Sequence, residues 1–148
     1  MPLRGHFNGT NGADFAVFRP SENNWYILNN AASSSRVVNF GASGDTLAPA
    51  DYDGDGKTDP AVYRGSTGDG YVFLSSTSTA VGVHWGATGD VIVPGDYDGD
   101  SIIDVVVWRP STGSWYILNS GSPTVTALRV DNWGQSGDVA IPFTYLPQ

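Results

Sequence analysis

Asp59-Pro60-Ala61-Val62-Tyr63-Arg64 returns as Asp104-Val105-Val106-Val107-Trp108-Arg109, and both echo Asp14-Phe15-Ala16-Val17-Phe18-Arg19. The three arginines stand 45 residues apart each time. Each phrase is an acid, an apolar run rich in β-branched or aromatic side chains, and a closing arginine. Such runs are too short for helices and read as strands. A phrase recurring at this period makes the chain one supersecondary unit copied three times.

The neighbouring sequence repeats with it. A second apolar run follows as Trp25-Tyr26-Ile27-Leu28, Tyr71-Val72-Phe73-Leu74 and Trp115-Tyr116-Ile117-Leu118. An aromatic-Gly pair closes each unit at Phe40-Gly41, Trp85-Gly86 and Trp133-Gly134, and Gly44-Asp45, Gly89-Asp90 and Gly137-Asp138 come next. In this alignment the hairpin after Arg64 is one residue longer than its counterparts. The segment from Leu74 to Trp85 is one shorter, which restores the period. The third unit carries three extra residues between Leu118 and Trp133.

Each unit parses into four short strands. The first leads into an Asp-rich loop (Leu47 to Asp51, Val91 to Asp96). The second is Pro60 to Arg64 or Val105 to Arg109. The third is Tyr71 to Ser75 or Trp115 to Asn119, and the fourth is Ala80 to Trp85 or Thr126 to Trp133. The second strands are apolar on both faces, which suits a sheet packed between two others. Four short strands per unit with a recurring aromatic predict an all-β protein, a β-propeller of three four-stranded blades. The blades are 1–45, 46–90 and 91–137, with 138–148 as an extra closing strand. A β-solenoid is the competing architecture, but its coils are usually shorter and need no turn signals such as Ser111-Thr112-Gly113. No stretch carries a helical period.

The chain has 148 residues and a net charge of -8. Fourteen of its fifteen acids are aspartates, and eight of those fall in Asp51 to Asp59 and Asp96 to Asp104. Clustered acids repel one another unless a cation sits among them. The seven Lys and Arg residues are scattered, and Lys57 is the sole lysine, so nucleic acid is not an expected partner. Cysteine is absent, and no apolar run approaches a membrane span, so no membrane insertion is expected. No secretory signal peptide is read. A cytosolic protein, a mature form and a piece of a longer chain all fit that start.

Asp51-Tyr52-Asp53-Gly54-Asp55-Gly56-Lys57-Thr58-Asp59 puts acids at positions 1, 3, 5 and 9, and Asp96-Tyr97-Asp98-Gly99-Asp100-Ser101-Ile102-Ile103-Asp104 does the same. Calcium takes roughly six to eight oxygens at about 2.3–2.6 Å from a tightly curved loop. Alternate aspartates can turn inward with the position-7 carbonyl of Lys57 or Ile102, and glycine permits the left-handed turns. The expected calcium ligands are thus Asp51, Asp53, Asp55, Lys57 and Asp59, and Asp96, Asp98, Asp100, Ile102 and Asp104. An EF-hand needs an acid at position 12, where Val62 and Val107 stand. The bland alternative is a turn whose Asp side chains cap their own backbone. In the first unit His6, Asn8, Thr10, Gly12 and Asp14 hold the aligned positions, and a vacant or weak site is expected. Asn8-Gly9-Thr10 is also a glycosylation sequon, read as fortuitous.

The Asp-x-Asp-Gly-Asp-Gly-x-x-Asp loop, the apolar strand after it and the upstream Phe40-Gly41 resemble the FG-GAP/VCBS repeats. These are calcium-binding blades of integrin α-subunits, fungal propeller lectins and secreted bacterial proteins. The resemblance spans the whole chain, with Trp85-Gly86 and Trp133-Gly134 as aromatic variants. Phe18-Arg19-Pro20 and Trp108-Arg109-Pro110 replace the usual "GAP" segment, as in the bacterial branch. The resemblance implies structural calcium in hairpins on one face and an extracellular or cell-surface location.

Arg19, Arg64 and Arg109 read as a repeated salt bridge, with Asp45, Asp90 and Asp138 as partners, in preference to a ligand groove. Trp25, Tyr71 and Trp115 read as core between blades in preference to sugar-stacking platforms, and His84 as a surface residue. Two His, one Glu and no Cys make no catalytic constellation, so no enzyme is expected. Propellers have roughly four to eight blades. Three need completing, and Asp138 to Tyr145 aligns with Asp90 to Tyr97 as the start of a fourth unit. The expectation is a homodimer forming a six-bladed ring, with a fragment of a larger propeller as the alternative. The expected function is a calcium-stabilised, non-enzymatic binding module, carbohydrate being the candidate ligand. A purely structural repeat or self-assembling module is the second expectation.

Overall fold

The computed structural model describes residues 2–9, 12–30, 34–120 and 128–141. These form three four-stranded antiparallel sheets and, among the described residues, no helix. The first sheet runs β1 (Pro2–Gly5), β2 (Asp14–Arg19), β3 (Asn24–Leu28) and β4 (Ser35–Asn39). The second runs β5 (Thr46–Leu47), β6 (Ala61–Arg64), β7 (Asp69–Leu74) and β8 (Thr79–His84), and the third β9 (Val91–Ile92), β10 (Val105–Arg109), β11 (Ser114–Leu118) and β12 (Leu128–Asn132). Each sheet is a meander in chain order.

The first strands of the second and third sheets are shorter than the sequence suggests. β5 and β9 pair for two residues, Ala48 N–H and Val93 N–H still donate to the Ala61 and Val106 carbonyls, and the isolated bridges Ala50 to Asp59 and Gly95 to Asp104 follow. Pro49 and Pro94 lie in the gaps, where a proline has no N–H to give a ladder. The part of the fourth strand at Thr126 and Ala127, the three-residue insertion and most of the segment after Asp138 lie outside the described residues.

The register corrects the alignment of the middle unit. Phe18 faces Trp25, Tyr63 faces Gly70, and Trp108 faces Trp115 across their hairpins. Gly70, not Tyr71, therefore stands where Trp25 and Trp115 stand, and Tyr71 matches Tyr26 and Tyr116. The three hairpins are equal in length, closed by Arg19–Asn24, Arg64–Asp69 and Arg109–Ser114. A continuous apolar run let aromatic match aromatic in the sequence. The pairing follows a different contact: each arginine lies over its tyrosine ring, at 4.4 Å for Tyr26, 4.8 Å for Tyr71 and 4.4 Å for Tyr116.

Consecutive sheets pack unlike face to unlike face. Ala16, Phe18, Trp25 and Ile27 of the first sheet bury against Val62 of the second, with Leu47 and Tyr71 at the margin. Tyr63 of the second sheet repeats the arrangement against Ile92 and Val107 of the third, flanked by Trp85, Val105 and Tyr116. On the far side of the third sheet Val106, Trp108 and Ile117 gather with Trp115 and Ala140. So β6 and β10 are buried on both faces, whereas β2 alternates strictly between buried and exposed.

Polar contacts follow the same period. The indole N–H of Trp25 donates to the Phe40 carbonyl at 3.0 Å and that of Trp115 to the Trp133 carbonyl at 2.8 Å, tying the third strand to the aromatic-Gly turn. The Trp85 indole reaches across the seam to the Tyr116 carbonyl at 3.1 Å. Thr58 N–H donates to the His6 carbonyl and Ile103 N–H to the Asp51 carbonyl, so each loop rests on the one before it.

Candidate metal-binding loops

Each loop sits between the first and second strands of its sheet and ends on a buried aspartate. Asp59 accepts from Tyr52 N–H at 3.0 Å and from Ser75 N–H at 2.7 Å. Asp104 accepts from Tyr97 N–H at 2.8 Å and Ser120 N–H at 2.9 Å. Asp14 does the equivalent for Asn8 and Asn30, at 2.9 and 3.1 Å. The ninth position thus clamps the loop to the turn after the third strand in every unit. The sequence shows this acid three times but not the second half of the clamp, because its partner is a backbone amide with no residue signature.

The first position shapes the loop. Asp51 accepts from Gly54 and Gly56 N–H at 2.7 and 2.8 Å, and Asp96 from Gly99 and Ser101 N–H at 2.6 and 3.0 Å. Gly56 has φ +79°, which glycine adopts freely. Ser101 holds φ +73° in the second loop, where a side chain costs about 1–2 kcal/mol.

These bonds draw three carboxylates together in each loop. One oxygen each from Asp51, Asp53 and Asp59 lies within 4.8 Å of the others, and Asp96, Asp98 and Asp104 do the same. Burial pushes Asp59 above the usual carboxylate range, and the Asp53 charge adds to it. Burial likewise raises Asp104, with Asp98 and Asp100 adding. At Asp14, where the aligned first and third residues are His6 and Asn8, burial also pushes upward. There the hydrogen bonds from Asn30 and Asn8 prevail and hold the group below its ordinary value.

The donor set fits a hard divalent cation. Oxygens about 2.3–2.6 Å from one ion lie within about 5 Å of each other, which matches the spacing of both triads. The turn hydrogen bonds do not exclude this, because a carboxylate offers about four lone-pair sites. The self-capping turn and the cation loop are therefore the same geometry, and both acidic clusters can hold a metal ion.

Asp55 and Asp100 stay outside the triads. Asp55 turns to Lys57 Nζ at 2.8 Å and to Ser75 Oγ at 2.9 Å. Exposed Asp100 caps Ile102 N–H at 2.8 Å. In the first unit Thr10 lies outside the described residues, and no acidic triad forms among those described.

The repeated arginine makes its bridge twice. Arg64 grips both oxygens of Asp45 at 2.9 and 3.0 Å, and Arg109 both oxygens of Asp90 at 2.8 Å. Both aspartate side chains are 1% exposed. Arg19 departs from the pattern and turns to Glu22 and Tyr26. His84 is exposed and bonded to Asp69.

A cleft of about 370 Å³ opens between the second and third sheets, bordered by Gly70, Gly82, Val105 and Leu118. Gly70 leaves space there where a tryptophan stands in the other two units. Asn119 and Ser120 also line the cleft, and Asn119 Oδ1 and Ser120 Oγ are buried without a hydrogen-bond partner.

Comparison with protein-family models, curated proteins and solved structures gave no match.

Two substitutions separate the roles of positions 1 and 9. Asp14→Ala should lower stability by about 2 kcal/mol, since two part-buried amide hydrogen bonds to a carboxylate are lost, while the metal response persists. Asp51→Ala should remove the response of its loop; thermal melting with and without added metal reads both effects. Ser101→Gly should stabilise the metal-free protein by about 1 kcal/mol by relieving the left-handed residue, as read from urea denaturation midpoints.

Proposed function

We propose that this chain is a non-enzymatic, calcium-braced β-propeller module of the FG-GAP/VCBS type, working outside the cell or at its surface. The supporting observation is the pair of in-register carboxylate triads, Asp51, Asp53 and Asp59 with Asp96, Asp98 and Asp104, each on a loop that bears on the preceding unit. In this reading the triads hold calcium with the carbonyls of Lys57 and Ile102, and Asp55 and Asp100 join the oxygen shell by turning away from the partners they hold in the metal-free chain. The three sheets are blades, and their stacking of unlike faces accords with a ring that a second copy of the chain completes.

The ion's work here is structural. It neutralises carboxylates that crowd one another and fixes the loops on which successive sheets rest. Self-assembly is the use that this geometry favours most directly.

A carbohydrate ligand is the second reading, favoured by the cleft with the unpartnered Asn119 and Ser120 oxygens. Its mostly aliphatic border makes it a place for one sugar face, and the two oxygens, covered in the ligand-free chain, accept from hydroxyls once the cleft widens around the sugar.

Calcium should raise the melting temperature and a chelator should reverse the rise. At ten times the dissociation constant each site contributes about 1.4 kcal/mol. A melting temperature indifferent to calcium in the wild type would sink the reading. For the second reading, a glycan array should show binding that Asn119→Ala abolishes; an array blank with and without chelator would leave the structural role alone.

A further inference from the structure

The stacked sheets leave one seam half made at each end of the stack. At the internal seams, the face that receives the preceding sheet includes Val62 in the second sheet and Val107 in the third, 2% and 0% exposed. The register places Val17 at the same position in the first sheet, and it is 45% exposed. Phe15, Leu28 and Val37 on that face are 65%, 42% and 54% exposed. This is the receiving face of an ordinary seam without its neighbour.

The giving end is open only at its rim: Val106, Trp108 and Ile117 of the third sheet are 0%, 3% and 2% exposed, with Ala140 packed against them. Trp85, which reaches into the third sheet, has its counterpart in Trp133, 80% exposed. Asp45, Asp90 and Asp138 each close the aromatic-Gly turn of their unit by accepting from a backbone N–H three residues earlier, at 2.8, 2.9 and 2.9 Å. Asp45 and Asp90 then receive the arginine of the next unit. Asp138 has no arginine on it among the described residues, and Arg19 has only Glu22 on the same hairpin as its acid. A carboxylate lacking its arginine and an arginine lacking its repeat aspartate stand at opposite ends of one stack.

We propose that the open face of the first sheet is the docking surface for the third sheet of a second copy of this chain, with Asp138 of each copy gripping Arg19 of the other. Phe15, Val17 and Leu28 then receive the partner's apolar end, as Val62 and Val107 receive the preceding sheet within the chain. The contact is heterologous, and two of them related by a two-fold axis close the pair. Docking requires Ala140, which packs on Val106, Trp108 and Ile117 in the single chain, to give way to the partner's first sheet. The inference rests on the stacked-blade reading above and adds the surface and the charge pair that complete it.

The test is a charge swap in the full chain, read as mass by light scattering at micromolar concentration with calcium present. The wild type should show twice the chain mass. Arg19→Asp and Asp138→Arg, each of which sets like charges against each other, should weaken the dimer at least about tenfold. The double variant R19D/D138R should recover it. Both positions are exposed, and unchanged circular dichroism would confirm that the variants fold. A wild type at single-chain mass would overturn this interface and the two-chain ring together. A wild-type dimer indifferent to either single change, or a double variant as weak as the singles, would overturn the interface while leaving calcium bracing intact.

Discussion

The carboxylates of Asp14, Asp59 and Asp104 each take one backbone N–H from the loop before them and one from the turn sixteen residues later. Much of each unit's geometry follows from that pair of bonds. A loop crowded with acids has little reason to fold back on itself, and a turn between strands three and four has little reason to approach the loop. The buried aspartate makes both happen by giving two amides one acceptor group. Burying a charge this way costs desolvation, and its hydrogen bonds offset that cost. In two units the same clamp sets further acids beside the buried one, so the fold brings like charges together that a cation can relieve. In the first unit the clamp stands alone, which separates its structural duty from any metal duty.

The three copies, the β class and the acidic triads were legible because they lie in periodic side-chain chemistry. The 45-residue spacing of Arg19, Arg64 and Arg109 carried the topology. The register of the middle unit was not legible. Tyr71-Val72-Phe73-Leu74 is apolar throughout, and only the arginine-on-tyrosine stack distinguishes Tyr71 from Gly70. The salt bridge to Asp45 and Asp90 could be anticipated because both partners repeat, whereas its loss at Arg19 depends on which unit precedes the arginine. Asp55 was legible as an oxygen donor, but its diversion to Lys57 and Ser75 depends on a lysine and a turn serine that the loop pattern does not weigh. Asn119 and Ser120 gave no signal at all; their interest comes from the space beside a glycine far away in the chain.

The packing between sheets joins two different faces, so the repeat is directional. One face carries the phenylalanine, tyrosine or tryptophan that precedes the arginine; the other carries the valine before it and the tyrosine under the arginine. An ordinary β-sandwich can satisfy its sheets in one pairing. Here the second sheet makes two different seams and β6 has no solvent face, the first makes one and β2 keeps a solvent face, and on the third Ala140 packs against the far side of β10. The arginine grip runs beside the apolar seam, and its aspartate comes from the turn that closes the preceding unit.

The resting of one loop on another has a consequence for rigidity. The Asp51 loop is held from both sides: Thr58 bonds back to His6, Ile103 bonds onto Asp51, and Gly54 lies under Ile102. The Asp96 loop is exposed at Asp96 and Asp98, its first and third positions, and carries the strained Ser101. Ordering a loose loop around a ligand costs conformational entropy that an already braced loop has lost on folding. Two sites spelled with the same aspartate spacing therefore differ in preorganisation. An ion entering the inner loop would find it already braced, whereas one entering the outer loop would have more of it to order.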